Sequence, residues 1–510
     1  MSYLNRLTQR SWLWTAILVG LTPLAGFAQG DTTPQQNPDA GNPPASESTP
    51  PDQNTPAPAF GLGATTATPN ENPPVSALDQ PSLEPGTVSR SFLAPGAILS
   101  ESADSNVEGT GTGNSATSAG LGGVTRVMGA LALQKIWSHY ETDLQYIGGG
   151  IFYQGVNHKT DQTQDAELAQ RIVWRTGQLV LRDGVSYLPE GNFGAGSYGG
   201  SGALQSGLAG LGSAASTGSA SLGSALGGNL GAGQFGSVGD APRLTNSAVA
   251  DLAQAITPRS SVTFAGSYGF VHFTDNSFGL VDSSQAAAQL AYDRQINRTD
   301  QVAVLYAFQN IHFPQVSGSS VTTNAVRLIY GHRVTGRMDF VVGAGPQFTH
   351  MEFEQQQPPP QPAVKVSTDR ISASGNLRLR YRFPRTSLQL EYRHYNTNGS
   401  GYFLGASTDV GTFSVVRPLG RIWEANIDTG VANNDRLKAS ASTVPATSDR
   451  YLFAGGALHR HIGRHYRGFI SYQYDRLSFD ACSGTACGKV SNRQMGVVGI
   501  EWYPRPIRLD

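Results

Sequence analysis

Apolar and polar residues alternate in short segments along most of the chain, from about residue 140 to residue 503. Alternation with a period of two predicts β-strands that have one apolar and one polar face. The predicted strands begin near residues 140, 166, 178, 246, 260, 284, 300, 320, 338, 369, 386, 404, 421, 449, 466 and 490. Tight turns and long connections rich in Gly or polar residues separate them alternately. The pattern therefore predicts an all-β fold, a closed antiparallel transmembrane β-barrel of about 16 strands.

The hairpin around Pro384 and Arg385 provides the clearest test of strand register. If Phe383 pairs with Thr386, the two strands present one entirely apolar face and one entirely polar face. The apolar face contains Leu377, Leu379, Tyr381, Leu388, Leu390 and Tyr392, and the polar face contains Arg378, Arg380, Gln389 and Glu391. Such an apolar face contacts a second sheet in a soluble sandwich and lipid in a barrel. The segregation of short and long connections favours the barrel.

The predicted strand count is even, with seven short turns and eight longer connections. In an exported transmembrane barrel, both ends of the barrel and the short turns lie on the periplasmic side, and the longer connections lie outside. Outward-facing Tyr292, Trp423 and Trp502 near strand ends are typical of aromatic girdles, in which the ring contacts lipid and its polar tip contacts water. Ile329 departs from the pattern, because its position places it on the same face as Arg327.

The N-terminal part of the chain differs from the strands in composition. Met1–Gln29 combines two arginines, an apolar run and small residues near its end, which predicts a secretory signal peptide. Residues 30–137 are rich in Pro, Gly and Ser and are predicted to be a disordered periplasmic region, with a folded plug as the alternative. Within it, Val127–Trp137 is apolar enough for a short helix in the barrel mouth. The barrel domain is then 138–510.

The barrel domain contains one unusual connection, the Gly-rich loop 191–240. It has 17 glycines in 50 residues and no Lys or Arg. Ordering so many glycines is costly in backbone entropy. We expect a flexible surface insertion, and a constriction loop that folds into the barrel is the alternative.

Composition and charge exclude some function classes. Hydrophobic residues make up 39% of the chain and the mean hydropathy is −0.25, which a barrel shares with soluble proteins because only alternate residues face lipid. The net charge of −1 combines 3 basic and 10 acidic residues in 1–125 with 33 basic and 27 acidic residues in 126–510. Residues 126–510 have only a mild excess of basic residues and contain no nucleic-acid-binding motif, so no nucleic-acid partner is predicted.

The candidate metal ligands of the chain are cysteines and histidines. Cys482 and Cys487 enclose four residues in a late connection, and an exported protein meets oxidising conditions, so we predict a disulfide. A metal site is the alternative, although that loop contains no histidine. His459, His461 and His465 cluster near a predicted turn beside arginines that repel a cation, and contact with anionic headgroups accounts for them better. No metal and no cofactor are predicted.

A barrel of this size is wide enough for an aqueous channel unless something fills it. The charged residues on the predicted inner faces are the candidate pore-lining residues: Arg327, Arg378, Arg380, Glu391, Arg393, Asp293 and Asp475. A basic stripe among them predicts a mild preference for anions. The alternative is that these side chains pair along the wall, as the opposed Arg378 and Glu391 indicate.

The last predicted strand, Met495–Tyr503, alternates Val498, Ile500 and Trp502 on one face. Together with the strand pattern of residues 140–503, it resembles bacterial outer-membrane β-barrel proteins, specifically porin-like families of uncharacterised function. The resemblance is architectural. It implies residence in the cell outer membrane and recognition of the last strand by the barrel-assembly machinery. The segment Pro504–Asp510 continues beyond the aromatic residues and departs from the family pattern.

We therefore expect a porin-like channel for passive or weakly selective passage of small solutes. Its partners would be outer-membrane lipid, the assembly machinery, the solutes and, as in many wide barrels, further copies of the chain. The alternative is an occluded barrel that acts as a surface-binding component or as a part of an export or assembly complex. No enzymatic activity is predicted, because no nucleophile, base and orienting group occur in a recognisable motif.

Overall fold

One antiparallel β-sheet contains all the strands of the described chain. The computed structural model describes residues 91–105, 121–154, 160–188, 242–257, 259–274, 280–316, 318–355, 364–383, 385–399, 403–437, 448–479, 490–502, 504–505 and 507–509. The predicted signal peptide, the Gly-rich loop 191–240, Cys482 and Cys487 lie outside these ranges. The chain divides into two units, Met1–Thr55 and Pro56–Asp510, and all described residues belong to the second.

The described residues form 19 strands, and neighbouring strands run antiparallel. They are β1 (Phe92–Asp104), β2 (Gly122–Ile136), β3 (Tyr140–Gln154), β4 (Thr160–Trp174), β5 (Gly177–Leu188), β6 (Arg243–Thr257), β7 (Ser260–Phe273), β8 (Ser283–Gln295), β9 (Asp300–His312), β10 (Ser320–Thr335), β11 (Met338–Gln355), β12 (Val364–Phe383), β13 (Thr386–Thr397), β14 (Ala406–Pro418), β15 (Trp423–Arg436), β16 (Ser448–Ile462), β17 (Tyr466–Phe479), β18 (Val490–Trp502) and β19 (Ile507–Arg508). The described part of the chain has no helix long and apolar enough to cross a membrane.

The sheet closes on itself through β1. On one side β1 pairs with β2, so that Leu99 is opposite Val127. On the other side β1 pairs with β18, so that Leu99 is also opposite Ile500. A strand with partners on both sides has no open edge, and the seam between the first and the last long strand is therefore sealed by main-chain hydrogen bonds.

The predicted count of about 16 strands is wrong, because the described sheet has 19. Strands β3–β18 correspond to the predicted ones, with starts that differ by a few residues. The additional strands β1 and β2 lie within residues 30–137, which were predicted to be disordered. The prediction of a helix at Val127–Trp137 is wrong, because this segment belongs to β2 as far as Ile136. Strand β1 is rich in Ala and Ser, β2 is rich in Gly and Ala, and the two strands together contain one aromatic residue, so their intrinsic strand propensity is low. Closure stabilises them, because it gives their backbone groups partners in β3 and β18.

The predicted register of the β12–β13 hairpin is confirmed. The observed pairs are Phe383–Thr386, Arg382–Ser387, Tyr381–Leu388, Arg380–Gln389, Leu379–Leu390, Arg378–Glu391 and Leu377–Tyr392. Leu377 is 37% exposed and Leu390 is 41% exposed, whereas Arg380 is 3% exposed. The apolar face of the hairpin therefore faces outward and the polar face lines the lumen.

Short turns and long connections lie at opposite ends of the barrel, as predicted. Arg175–Thr176 joins β4 to β5, and Gly336–Arg337 joins β10 to β11. Both termini of the described barrel lie at this end, where the amide of Leu509 donates to the carbonyl of Ser91 at 3.2 Å. Strands β1 and β2 add one further short turn, residues 137–139. We call the two ends of the barrel the short-turn end and the long-loop end.

Candidate functional site

The outer surface of the barrel is apolar around its circumference. Large exposed side chains on the outward faces include Leu99, Phe152, Leu181, Phe264, Leu290, Val304, Leu328, Val342, Leu390, Ile427, Ile470 and Ile500. Exposing so much apolar area to water is unfavourable, whereas contact with hydrocarbon is not. Tyr292 and Trp502 are outward and exposed, and Trp423 stacks 5.2 Å from the Arg460 guanidinium. A closed sheet with an apolar exterior is the architecture of a transmembrane β-barrel.

The inner faces of the strands carry mainly amide and hydroxyl side chains. Buried examples are Gln178, Gln285, Gln289, Gln301, Gln309, Gln347, Gln473, Ser102, Thr163, Ser261, Thr263, Thr323, Thr349 and Ser471. Such side chains hydrogen-bond without adding charge. Ile329 is also on the inner face, beside Ala303 and Val341, which confirms its predicted placement. The lumen wall is thus polar, in contrast to the exterior, and it carries more amide and hydroxyl groups than charged ones.

Two of the candidate pore-lining arginines form ion pairs within the wall. The Nε atom of Arg380 lies 3.1 Å from an Asp339 carboxylate oxygen on the neighbouring β11. Arg393 pairs with Glu391, two residues earlier on β13. Arg378 is opposite Glu391 in the register, as predicted. Both pairs place a cation next to an anion, which reduces the field that either charge sets up in the lumen.

Arg327 and Asp293 contact neutral groups of neighbouring wall strands. The Nε atom of Arg327 donates to the Ser374 hydroxyl at 3.0 Å, across the intervening β11. One oxygen of Asp293 accepts from the hydroxyls of Ser261 and Thr263, each at 3.4 Å. These contacts connect strands on the inner surface of the sheet.

Asp475 is the last of the predicted set and is 2% exposed. One of its oxygens accepts from the Tyr451 hydroxyl at 2.7 Å, and the Gln473 amide donates to both oxygens at 2.9 Å. The carboxylate is therefore held by neighbouring side chains of β16 and β17.

Two buried ion pairs near the barrel seam were missed by the sequence analysis. Arg467 on β17 and Glu501 on β18 are joined through Nη2 and Oε2 at 2.5 Å, with side chains 4% and 3% exposed. Arg493 on β18 pairs with Asp104 on β1, where its Nε lies 2.8 Å from Oδ2. The first pair could have been found from the register of the last hairpin. The second could not, because Asp104 lies in the segment that was predicted to be disordered.

The most unusual element of the lumen is the end of the β13–β14 hairpin, residues 395–399 and 403–408, which we call the inward hairpin. In the barrel wall only alternate residues of a strand are buried. In the inward hairpin, Tyr395–Gly399 and Phe403–Thr408 are buried without interruption. Strand β13 also loses its neighbour there, since its last pairing with β12 is Gly375 opposite His394. The hairpin therefore bends out of the wall and into the barrel.

Neutral hydrogen bonds attach the inward hairpin to the wall strands β8–β11, which lie beyond β12 in the sheet. The Asn396 amide donates to the Thr323 hydroxyl on β10 at 3.1 Å and to the Thr349 hydroxyl on β11 at 2.7 Å. Gln309 on β9 donates to the Asn396 carbonyl at 3.4 Å. The Asn398 amide donates to a hydroxyl of β8 at 2.8 Å, that of Ser283. Four consecutive wall strands thus hold one edge of the hairpin.

On its other edge, the hairpin is hydrogen-bonded through side chains to β15, and β15 is bonded in the same way to β16. The hydroxyls of Thr397 and Thr408 are 2.9 Å apart, and Thr408 donates to the Asn434 side chain on β15 at 2.8 Å. Asn434 in turn donates to Asp449 on β16 at 2.8 Å. All four side chains are buried. The hairpin is therefore connected to β8–β11 on one side and to β15 and β16 on the other, through amide, hydroxyl and carboxylate side chains.

Two large apolar residues at the tip of the hairpin fill the space between the walls. Leu404 is 4% exposed and belongs to a cluster with Ile311, Phe313, Val321, Met351 and Phe353 from β9–β11 and the connection after β9. Phe403 is 0% exposed and belongs to a second cluster with Val271, Phe273, Leu280, Tyr395, Ala406, Val410, Ala432, Tyr451 and Leu477. Apolar packing therefore reinforces the polar attachments at the long-loop half of the lumen.

Two glycines permit the path of the backbone at the tip. Gly399 has φ of 77° and Gly405 has φ of 88°, in the left-handed region. A Cβ atom on Gly405 would lie 3.1 Å from Val321 on β10. Asn398 and Gly399 are residue types that are common in exposed loops, yet both are buried in the lumen. The missed signal is the pair of bulky apolar residues, Phe403 and Leu404, that follows.

Comparison with known proteins gives only distant similarities. No protein-family model and no curated protein matches the chain. Among solved structures, the chain is similar to OccK2 (OpdF) of Pseudomonas aeruginosa, with a TM-score of 0.39, 8% identity and coverage of 82% of this chain and 98% of that one. It is also similar to OpdK of the same organism, with a TM-score of 0.36, 8% identity and coverage of 81% and 98%. The ferric-catecholate import receptor Fiu from E. coli gives a TM-score of 0.37 at 8% identity, with 81% of both chains covered.

Proposed function

We propose that this outer-membrane barrel is a weakly selective channel for small polar solutes, and that the inward hairpin constricts and gates its long-loop half. The observation that carries the proposal is a hairpin buried on both faces inside a barrel with a polar wall. The short-turn end, which holds both termini of the described barrel, faces the periplasm, and the long-loop end faces outward. Small solutes, the assembly machinery and further copies of the chain are the partners in this proposal.

Weak selectivity follows from the pairing of charges on the wall. Arg380, Arg393, Arg467 and Arg493 each have a carboxylate partner on the inner surface. Paired charges attract a passing ion less than an unpaired ring of one sign. Amide and hydroxyl groups can replace part of the hydration shell of a polar solute whatever its charge. These features support passage that depends on size and polarity more than on charge.

A gating role is supported by the kind of contacts that hold the hairpin. Neutral hydrogen bonds contribute about 1 kcal/mol each, because water replaces them when they break. Burial of Phe403 and Leu404 adds roughly 1.5–3 kcal/mol per side chain. The contacts are strong enough to favour the inward position, and none is a covalent or ionic link. Gly399 and Gly405 provide points at which the backbone can turn.

Conductance of the reconstituted full chain in planar bilayers tests the proposal. Replacing Phe403 and Leu404 by Ala should raise the mean conductance and admit larger sugars in a vesicle-swelling assay, because the hairpin loses its apolar packing. The matched control is Phe264→Ala with Leu290→Ala, a pair of the same residue types. These two are opposite one another on β7 and β8, and each is 50% exposed on the outer surface. The control variant should conduct like the wild type.

A reversible cross-link provides the complementary test. Ser283 Oγ and Asn398 Nδ2 are 2.8 Å apart, so a short thiol-reactive cross-linker should join cysteines at these two positions. The background carries Cys482→Ser and Cys487→Ser, and each single cysteine variant is a control. The cross-linked protein should lose its channel openings and regain them after reduction.

Two results would decide against the channel. If the wild type and the Phe403→Ala, Leu404→Ala variant both fail to conduct, the barrel is occluded and a binding or assembly role takes precedence. If both conduct equally and admit the same sugars, the hairpin does not constrict the path.

A further inference from the structure

The barrel wall has a lateral opening beside the inward hairpin. Strand β12 pairs with β11 from Val364 to Tyr381, but with β13 only from Phe383 to Gly375. In the described part of the chain, residues 364–374 of β12 thus have no neighbour on the β13 side. Their exposure agrees with this arrangement: Ile371 is 73% exposed, and residues on both faces of this part of β12 are exposed.

The opening begins within the apolar band of the exterior. Outward-facing residues of β12 are apolar or small from Tyr381 to Ile371, and the next outward residue, Asp369, is charged. The last β13 partner is at Gly375, so Ala373 and Ile371 lie beyond the closed part of the wall but still below the charged rim. That rim is marked by Asp369 and His350, whose side chains are 2.6 Å apart. The opening therefore faces the outer part of the hydrocarbon layer.

Unpaired main-chain groups make this edge of β12 polar. An edge strand presents N–H and C=O groups that lack partners, and leaving them unsatisfied in hydrocarbon is strongly unfavourable. A molecule that occupies the opening must therefore bring hydrogen-bonding groups to the edge and apolar surface to the lipid side. An amphiphile meets both requirements, whereas a purely apolar molecule does not.

Arg370 determines the sign of the charge that the head group of the amphiphile must carry. It belongs to the inward row of β12, with Ser374 and Arg380, yet its side chain is exposed while theirs are buried. Within the described residues, its guanidinium makes no ion pair. A guanidinium next to free main-chain N–H groups recognises a carboxylate or a phosphate through charge-assisted hydrogen bonds. Ile371 and Ala373, on the outward row, would contact the alkyl chain.

We propose that the opening between β12 and the inward hairpin binds an anionic single-chain amphiphile. Its head group lies at Arg370 and the free edge of β12, and its chain lies along Ile371 and Ala373 in the outer leaflet. The site provides a lateral route between lumen and membrane, in addition to the axial path of the channel. It goes beyond the proposed channel function, and its tests do not depend on conductance.

Photolabelling of the full chain in vesicles tests the site. The probe is a long-chain fatty acid with a diazirine in its chain, and labelled peptides are identified by mass spectrometry. Label should concentrate on β12 near Ile371 and Ala373 and should be displaced by unlabelled fatty acid, but not by inorganic phosphate or acetate. Arg370→Gln should reduce this label about tenfold, because a hydrogen bond to a charged group is lost. The control Arg294→Gln, at an exposed outward position on β8, should leave it unchanged.

The geometry of the opening has its own test. Continuing the β12–β13 register would place Ser372 opposite Thr397, whose hydroxyl contacts Thr408 within the hairpin, so cysteines there should form a disulfide readily only if the wall is closed. The control pair replaces Leu379 and Leu390, which are opposite one another in the paired part of the hairpin. We expect fast bonding of the control and slow bonding across the opening. Equal rates overturn the proposal, as do labelling spread evenly around the barrel and labelling that is unaffected by Arg370→Gln.

Discussion

Asn396→Ala should release the inward hairpin from two wall strands. The amide of Asn396 donates to Thr323 at 3.1 Å and to Thr349 at 2.7 Å, and all three residues are buried. The substitution removes both bonds. It leaves in place the main-chain carbonyl of residue 396, which accepts a hydrogen bond from Gln309. At about 1 kcal/mol for each bond, the inward position loses about 2 kcal/mol relative to a position away from the wall. This corresponds to about a 30-fold change in the equilibrium between the two positions.

Single-channel recording measures that change directly. The frequency or duration of the high-conductance state should increase by about 30-fold in Asn396→Ala, with no change in the amplitude of the fully open level. Asn324→Ala is the matched control, because that asparagine accepts a hydrogen bond from Tyr306 at 2.7 Å on the outer surface. Its gating should equal that of the wild type.

A double-mutant cycle with Thr349→Ala identifies the bond responsible. The two single substitutions should each favour opening, and the double substitution should add less than their sum by about 1 kcal/mol, the contribution of their shared bond. Unchanged gating in Asn396→Ala would refute the view that this amide holds the hairpin. Strict additivity would show that Asn396 acts on some group other than Thr349.

Three further predictions concern the tip, the seam and the closing strands. Gly405→Ala should favour opening about tenfold, because φ is 88° and the new Cβ would crowd β10, whereas Gly420→Ala, with nothing within 4 Å, should gate normally in the same recordings. Arg467→Gln should lower the free energy of unfolding by about 3–5 kcal/mol in urea titrations, since it leaves Glu501 buried without its cation, and Glu501→Gln should recover most of the loss. A chain that begins at residue 91 should refold in detergent to a heat-modifiable barrel on SDS gels, whereas one that begins at residue 138 lacks β1 and β2 and should not.

Strand positions were predictable where the two faces differ strongly in polarity. The β12–β13 hairpin alternates Leu and Tyr with Arg and Glu, and only one register keeps each face uniform, so a one-residue slip would place arginines in lipid. In β1 and β2 the alternating residues are mostly Ala, Gly, Ser and Leu, and the difference between faces is small. These two strands form because β3 and β18 provide hydrogen-bonding partners. The pairing of β1 with β18 joins residues about 400 positions apart, so the local sequence does not indicate it.

The inward hairpin was not predictable from alternation. Alternating polarity arises where one face of a strand contacts lipid, and no residue of the hairpin does. Asn396 and Asn398 resemble loop residues in sequence, and their function as attachments depends on Thr323, Thr349 and Ser283 in other strands. The candidate arginines lie on the inward rows of their strands, which follows from the same alternation as the register, and their role in lining a pore stays a prediction. Their partners, such as Asp339 for Arg380, required knowledge of which strands are neighbours.

The constriction and the lateral opening have a common geometric cause. A strand that enters the lumen must leave its neighbour, and β13 leaves β12 after His394. While Asn396 is bound to β10 and β11, it cannot lie opposite Ala373, so the long-loop half of the lumen is constricted and the wall is open beside it. If the hairpin returned to the wall in the continued register, the same movement would widen the lumen and close the lateral opening. The axial and lateral paths would therefore be available alternately, because one hairpin cannot occupy both positions.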